Sequence, residues 1–192
     1  MTISRYRLAA IGIAALFGLF AVAPAQAAAG FCWAYNGSVL FTSGNVNCQA
    51  DPGNNTAIVI GDNSSAVANN GNNNTAITTG NNSSTRAGDG NGNAAYVFGN
   101  ASFARANFGN RNTASVIGDF SYAQAYLGNG GMATVTGNHD WAQANDGDHN
   151  SASVNGNGSY AYAHDGDNNT ARARSNCTAN AFGGNNITVT CP

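Results

Sequence analysis

The sequence predicts an all-β chain, a parallel β-solenoid of about six 19-residue coils with two strands per coil and disulfide-bonded terminal caps. Three observations carry that expectation. A 19-residue unit recurs six times without a register slip. Inside each unit small apolar residues alternate with variable ones, the period of two that marks a strand. Four cysteines flank the repeats and none lies inside them.

The units open at Pro52, Gly71, Gly90, Gly109, Gly128 and Gly147, and a last half unit runs from Gly166 to Arg174. Each divides into a nine-residue and a ten-residue half, as in GNRNTASVI and GDFSYAQAYL. The sixth place of the first half is Ala in every unit (Ala57, Ala76, Ala95, Ala114, Ala133, Ala152, Ala171). The eighth is Val, with Thr78 and Ala173 as exceptions. The matching places of the second half are Ala except for Thr85. The residues between these columns vary freely (Ile58, Tyr96, Ser115), so the columns face inward and the variable places face out.

A helix is excluded by the period and by the Gly and Asn content. A propeller blade needs about 40 residues. Two short strands and two tight turns fill a single solenoid coil. Rungs about 4.8 Å apart make the rod roughly 30 Å long. A core of Ala and Val is thin, so polar ladders must help. Asn55, Asn74, Asn93, Asn112, Asn150 and Asn169 share the fourth place of the first half, broken by Gly131. Ser64, Ser83, Ser102, Ser121 and Ser159 share it in the second half, where Asp140 is the exception. Such amides, stacked at strand spacing, are expected to hydrogen-bond up and down the column. The Gly opening each half supplies the positive φ of the turn.

The ends read differently. Residues 1–27 have the positive start, apolar run and small-x-small close (Ala25, Ala27) of a signal peptide. Their apolar stretch is shorter than the roughly 20 residues a membrane span requires. Residues 28–51, with Phe31, Trp33, Tyr35, Leu40 and Phe41, read as an N-terminal cap, 52–174 as the repeats, and 175–192 as a C-terminal cap. With an export signal, Cys32, Cys48, Cys177 and Cys191 are expected to form disulfides. Caps at opposite ends of a rod favour the local pairs Cys32 with Cys48 and Cys177 with Cys191, with an intermolecular bond as the alternative.

The hexamer G-x-x-N-x-A, as GNNNTA from Gly71, GNRNTA from Gly109 and GDNNTA from Gly166, resembles the curlin repeat of bacterial curli fibres over residues 52–174. That resemblance implies an extracellular, amyloid-like fibre in biofilm. The Gln columns of curlin repeats are absent here, and curlins lack cysteine-bearing caps. The nine-residue half is similar to the calcium-binding nonapeptide of β-roll toxins. The place of that family's liganding Asp is taken by Ala57, Ala76 and Ala95, and Ala cannot coordinate calcium.

Charge and motifs narrow the function. The chain has no Lys and no Glu, and without Arg5 and Arg7 five Arg stand against nine Asp. No basic patch exists for nucleic acid. No nucleophile elbow, zinc-protease motif or phosphate loop occurs. The expectation is therefore no enzyme, no catalytic residue, no cofactor and no metal ligand. Asp146, Asp148, Asp165 and Asp167, with Asp140 near, gather on one turn edge, where solvated carboxylates are expected and a weak Ca²⁺ site is the alternative. Phe103, Tyr122, Trp141 and Tyr160, spaced by 19 on the outer face, are the candidate binding face; stacked rings that only brace neighbouring coils are the plainer reading. The expected protein is secreted, extracellular or associated with the cell surface. It acts in adhesion or matrix contact through its faces, toward a surface glycan or matrix protein. The alternative is self-association as a structural subunit of a curlin-like fibre.

Overall fold

The computed structural model describes residues 29–192; the expected signal peptide, 1–27, lies outside them. The N-terminal flank folds as β1 (Phe31–Tyr35), β2 (Ser38–Ser43) and β3 (Val46–Ala50). The repeats then alternate between two sheets. Nine-residue halves give β4 (Thr56–Ile60), β6 (Thr75–Thr79), β8 (Ala94–Phe98), β10 (Thr113–Ile117), β12 (Met132–Thr136), β14 (Ser151–Asn155) and β16 (Thr170–Ala173). Ten-residue halves give β5 (Ser64–Asn69), β7 (Ser84–Gly88), β9 (Phe103–Asn107), β11 (Tyr122–Tyr126), β13 (Trp141–Asn145) and β15 (Tyr160–His164). The chain closes with β17 (Thr178–Phe182) and β18 (Thr188–Cys191).

The result is a parallel β-solenoid of about eight turns, more than the repeats alone supply, because both flanks add rungs. Each coil stacks on the next in exact column register: Ala114 pairs with Ala95 and Ala133, and Val116 with Val97 and Val135. All these columns are buried. The two exceptions to the small apolar rule meet in one coil. Thr78 and Thr85 are both buried, their hydroxyls are 2.9 Å apart, and Thr78 Oγ1 donates to Ser65 O at 2.7 Å. A polar pair that satisfies itself can replace Val and Ala in a dry core.

The Gly at each corner meets two demands. Gly90 sits at φ +154°, and a Cβ built there would collide with the carbonyl oxygen of Gly109 in the next coil. Only a residue without a side chain lets the backbones approach that closely.

The Asn column is a ladder, but its partners are backbone groups rather than neighbouring amides. Asn74 N–H donates to Asn55 Oδ1 at 2.8 Å, and Asn55 Nδ2 donates onward to Gly71 O at 2.7 Å. Asn93 repeats the pattern on Asn74 and Gly109. Each buried amide therefore caps orphan backbone groups at the corner, where the strands' own ladder stops. At Gly131 the row loses its amide, yet Gly131 N–H still donates to Asn112 Oδ1 at 2.8 Å. The Ser column works alike: Ser83 N–H donates to Ser64 Oγ at 3.1 Å, and Ser83 Oγ donates to Gly99 O at 2.8 Å.

The two ends differ. At the N-terminus β1 runs antiparallel to β4, and β2 folds back antiparallel on β1. At the C-terminus β17 and β18 continue the stack in parallel on β15 and β16. Both disulfides are local, Cys32–Cys48 with Cα atoms 5.8 Å apart and Cys177–Cys191 with 6.1 Å. Cys32 and Cys48 lie in opposite sheets, so their bond crosses the core at the first coil. Bonded cysteines at both ends suit an oxidising compartment. Among the described residues no helix is long and apolar enough to cross a membrane.

Candidate binding face

Strands β9, β11, β13 and β15 place Phe103, Tyr122, Trp141 and Tyr160 at the same register position on the outer side of one sheet. Their rings do not form a flat platform. Phe103 and Tyr122 stack with centroids 5.2 Å apart and planes at 14°, and Tyr122 and Trp141 lie 4.3 Å apart at 30°. Rings that close and near parallel stack on one another, with a lateral offset, along the rod. Tyr160 is in register with Trp141, but its ring lies parallel to that of Tyr162, 6.5 Å away.

A second, shorter stack stands beside the first. Phe120 and His139 occupy the turn just before the aromatic strands, with centroids 5.2 Å apart and planes at 14°. Together with Ala101 they hold the left-handed conformation at φ 51°, 55° and 60°. At the same turn place Asn63 and Asn82 adopt it too, and Asn tolerates it far better than Phe. Phe120 is 61% exposed in this strained position. Between the stacks runs an open groove of about 380 Å³, walled by Phe103, Tyr122, Trp141 and Tyr160 on one side and Ala101, Phe120 and His139 on the other. Ser121 and Asp140 form its floor.

Polar groups follow the aromatic row two places along the strands, outside the lining of the groove. Tyr122 Oη donates to Gln124 Oε1 at 2.6 Å. Burial pushes the Tyr122 phenol above its ordinary value, with the Arg105 guanidinium partly opposing the shift. The Arg105 guanidinium carbon lies over the rings of Phe108 and Tyr126, 5.8 and 4.9 Å from their centroids. Arg86, in register with Arg105, pairs with Asp89 at 3.3 Å. Burial likewise raises Tyr162, with Tyr160 adding to the effect.

Two of the late acidic residues, Asp148 and Asp167, have structural partners. Asp148 Oδ1 accepts from Asn129 N–H at 2.8 Å, and Asp167 Oδ1 accepts from Asp148 N–H at 2.8 Å. They belong to a ladder at the second place of the nine-residue half, which also runs through Asn91, Asn110 and Asn129. Among the described residues no cluster of three or more His, Cys or acidic side chains could hold a metal ion.

Sequence reasoning placed the aromatic row and missed the second stack, because Phe120 and His139 lie in turn places outside the period-two columns. The available signal was a ring at a turn place that is Asn63 and Asn82 in the first two units. No family model, no curated protein and no solved structure matches the chain.

Proposed function

We propose that the protein is an exported, non-enzymatic binding rod that acts at the cell surface or in the extracellular matrix, and that its groove holds an extended ligand chain, a surface glycan or a segment of matrix protein. The observation that supports this reading is the strained aromatic wall. Phe120 and His139 sit at backbone angles that Asn would occupy more cheaply, and they add nothing to the buried core. Strain kept at an exposed ring is more economically explained by contact with a ligand than by folding. A groove parallel to the rod axis suits a chain lying lengthwise against the rings that wall it.

The test is retention on immobilised polysaccharides and matrix proteins, comparing the wild type with Trp141→Ala. Retention of the wild type on at least one support, with at least tenfold loss for the variant, is expected. Equal retention of both proteins on every support would sink the reading.

The unpaired outer edges of β17 and β18 favour one second reading, a fibre subunit that grows by adding coils to that end. Sedimentation velocity of the oxidised protein separates the two: a discrete monomer supports the rod, and length-disperse polymer supports the fibre.

A further inference from the structure

The Ser column contains one acid, and the geometry around it is incomplete. Ser83, Ser102 and Ser121 each donate a hydroxyl hydrogen to a glycine carbonyl of the next coil, at 2.8, 2.9 and 3.2 Å. The equivalent carbonyl for Asp140 is Gly156 O. Asp140 fills the rest of the role: its N–H donates to Ser121 Oγ at 3.2 Å, and its Oδ1 accepts from Ser159 N–H at 2.8 Å. Its other oxygen, Oδ2, is buried and has no hydrogen-bond partner among the described residues. Oδ2 and Gly156 O share one corner, since a Cβ placed on Gly137 would collide with both. A carboxylate is an acceptor only. Two acceptors face each other where every serine coil has a donor.

We propose that Asp140 is a buried proton-binding site: as the medium turns acid, its carboxyl group takes up a proton at Oδ2, donates to Gly156 O and completes the ladder. Acid therefore tightens this coil and the groove floor above it. The titratable groups around Asp140 are few. His139 lies on the same turn, Asp119 on the turn of the preceding coil, and Tyr122 and Tyr160 on the flanking strands, while β12 and β14 present Val135 and Val154 from across the core. The Asp119 carboxylate is engaged by Asn100 N–H at 2.6 Å. Burial raises Asp140 above the ordinary aspartate value; the Ser159 hydrogen bond and nearby His139 oppose this less strongly. The sign follows. A carboxyl raised in the folded state binds more protons folded than unfolded, so stability grows as pH falls through the folded value. The gain levels off below the unfolded value of about 3.9.

The test is thermal unfolding of the wild type, Asp140→Asn and Asp140→Ser from about pH 8 to about pH 4. Asn carries a permanent donor in place of the proton, and Ser restores the column. Both variants should melt about 2–4 °C above the wild type at the alkaline end, and the gap should close toward the acid end. A carboxyl-carbon NMR titration of the wild type should place the Asp140 midpoint above about 3.9. A gap that stays constant with pH, no gap at the alkaline end, or a midpoint at or below the ordinary value would overturn the proposal.

Discussion

The buried Asn and Ser columns run through nearly every coil, whereas the two aromatic rows that wall the groove run from Phe103 to Tyr160. The columns are occupied by the same residue because their partners are the same: a corner carbonyl and a corner N–H recur at each rung. The outer places have no such constraint, and most carry small polar residues. Where rings appear there, in two parallel rows and partly at unfavourable backbone angles, the coil itself does not ask for them. Repetition thus marks what holds the rod, and local departure from it marks what the rod presents.

The largest effect belongs to the inner columns. Asn112→Ala strips partners from Gly131 N–H, Gly128 O and Asn107 O. With each unsatisfied buried group costing about 1–3 kcal/mol, the loss should reach about 3 kcal/mol or more by denaturant unfolding. Asn110→Ala on the exposed ladder should cost far less, because water replaces the lost bonds. If the two variants unfold alike, the inner columns are not what holds the coil.

The disulfides come next. Replacing Cys32 and Cys48 together by Ser should cost about 3 kcal/mol, given the 16-residue separation of the pair. Removing Cys177–Cys191 should cost less, since those cysteines are only partly buried and close an outer edge of the stack. Calorimetry of each double variant ranks them, and the reverse order would contradict the asymmetry of the two ends.

On the outer row the effects on stability and binding should separate. Trp141→Ala removes a stacked ring worth about 1 kcal/mol. Its melting temperature should fall by a few degrees at most, about 2–4 °C per kcal/mol for this length, while retention on the ligand drops at least tenfold. A large loss of stability with unchanged binding would return the row to a purely structural role.

Much of this was legible in the sequence because a coil imposes its period on every residue it uses. Ala57, Val59 and their repeats declare the inward columns, and the spacing of 19 fixes the register without further information. The local disulfide pairing followed from the rod's length. The partners of the Asn column were not legible: a stacked amide in a string of letters looks equally able to bond its neighbour amide or the backbone, and the corner geometry at Gly71 and Gly90 decides for the backbone. The second-place ladder of Asn91, Asn110, Asn129 and Asp148 was in plain view as an unbroken run of Asn and Asp, but turns rich in Asn conceal it. The groove was hidden for a different reason. Phe120 precedes the strand it serves, and only the backbone turn brings its ring onto His139 beside the aromatic row. The coupling of Thr78 to Thr85 shows the same limit, since two column breaks in one unit become one hydrogen-bonded pair only when the sheets face each other.

The most direct test of the central claim is the Phe120→Asn variant, read for melting temperature and ligand retention on one preparation. Asn already occupies this turn place at Asn63 and Asn82 with the same left-handed backbone. The variant is expected to be at least as stable as the wild type, because strain on the order of 1 kcal/mol is relieved, and to show at least tenfold weaker retention. A variant that melts well below the wild type, or that binds as well as it does, would contradict the claim that the outer stacks exist for a ligand and the inner columns for the fold.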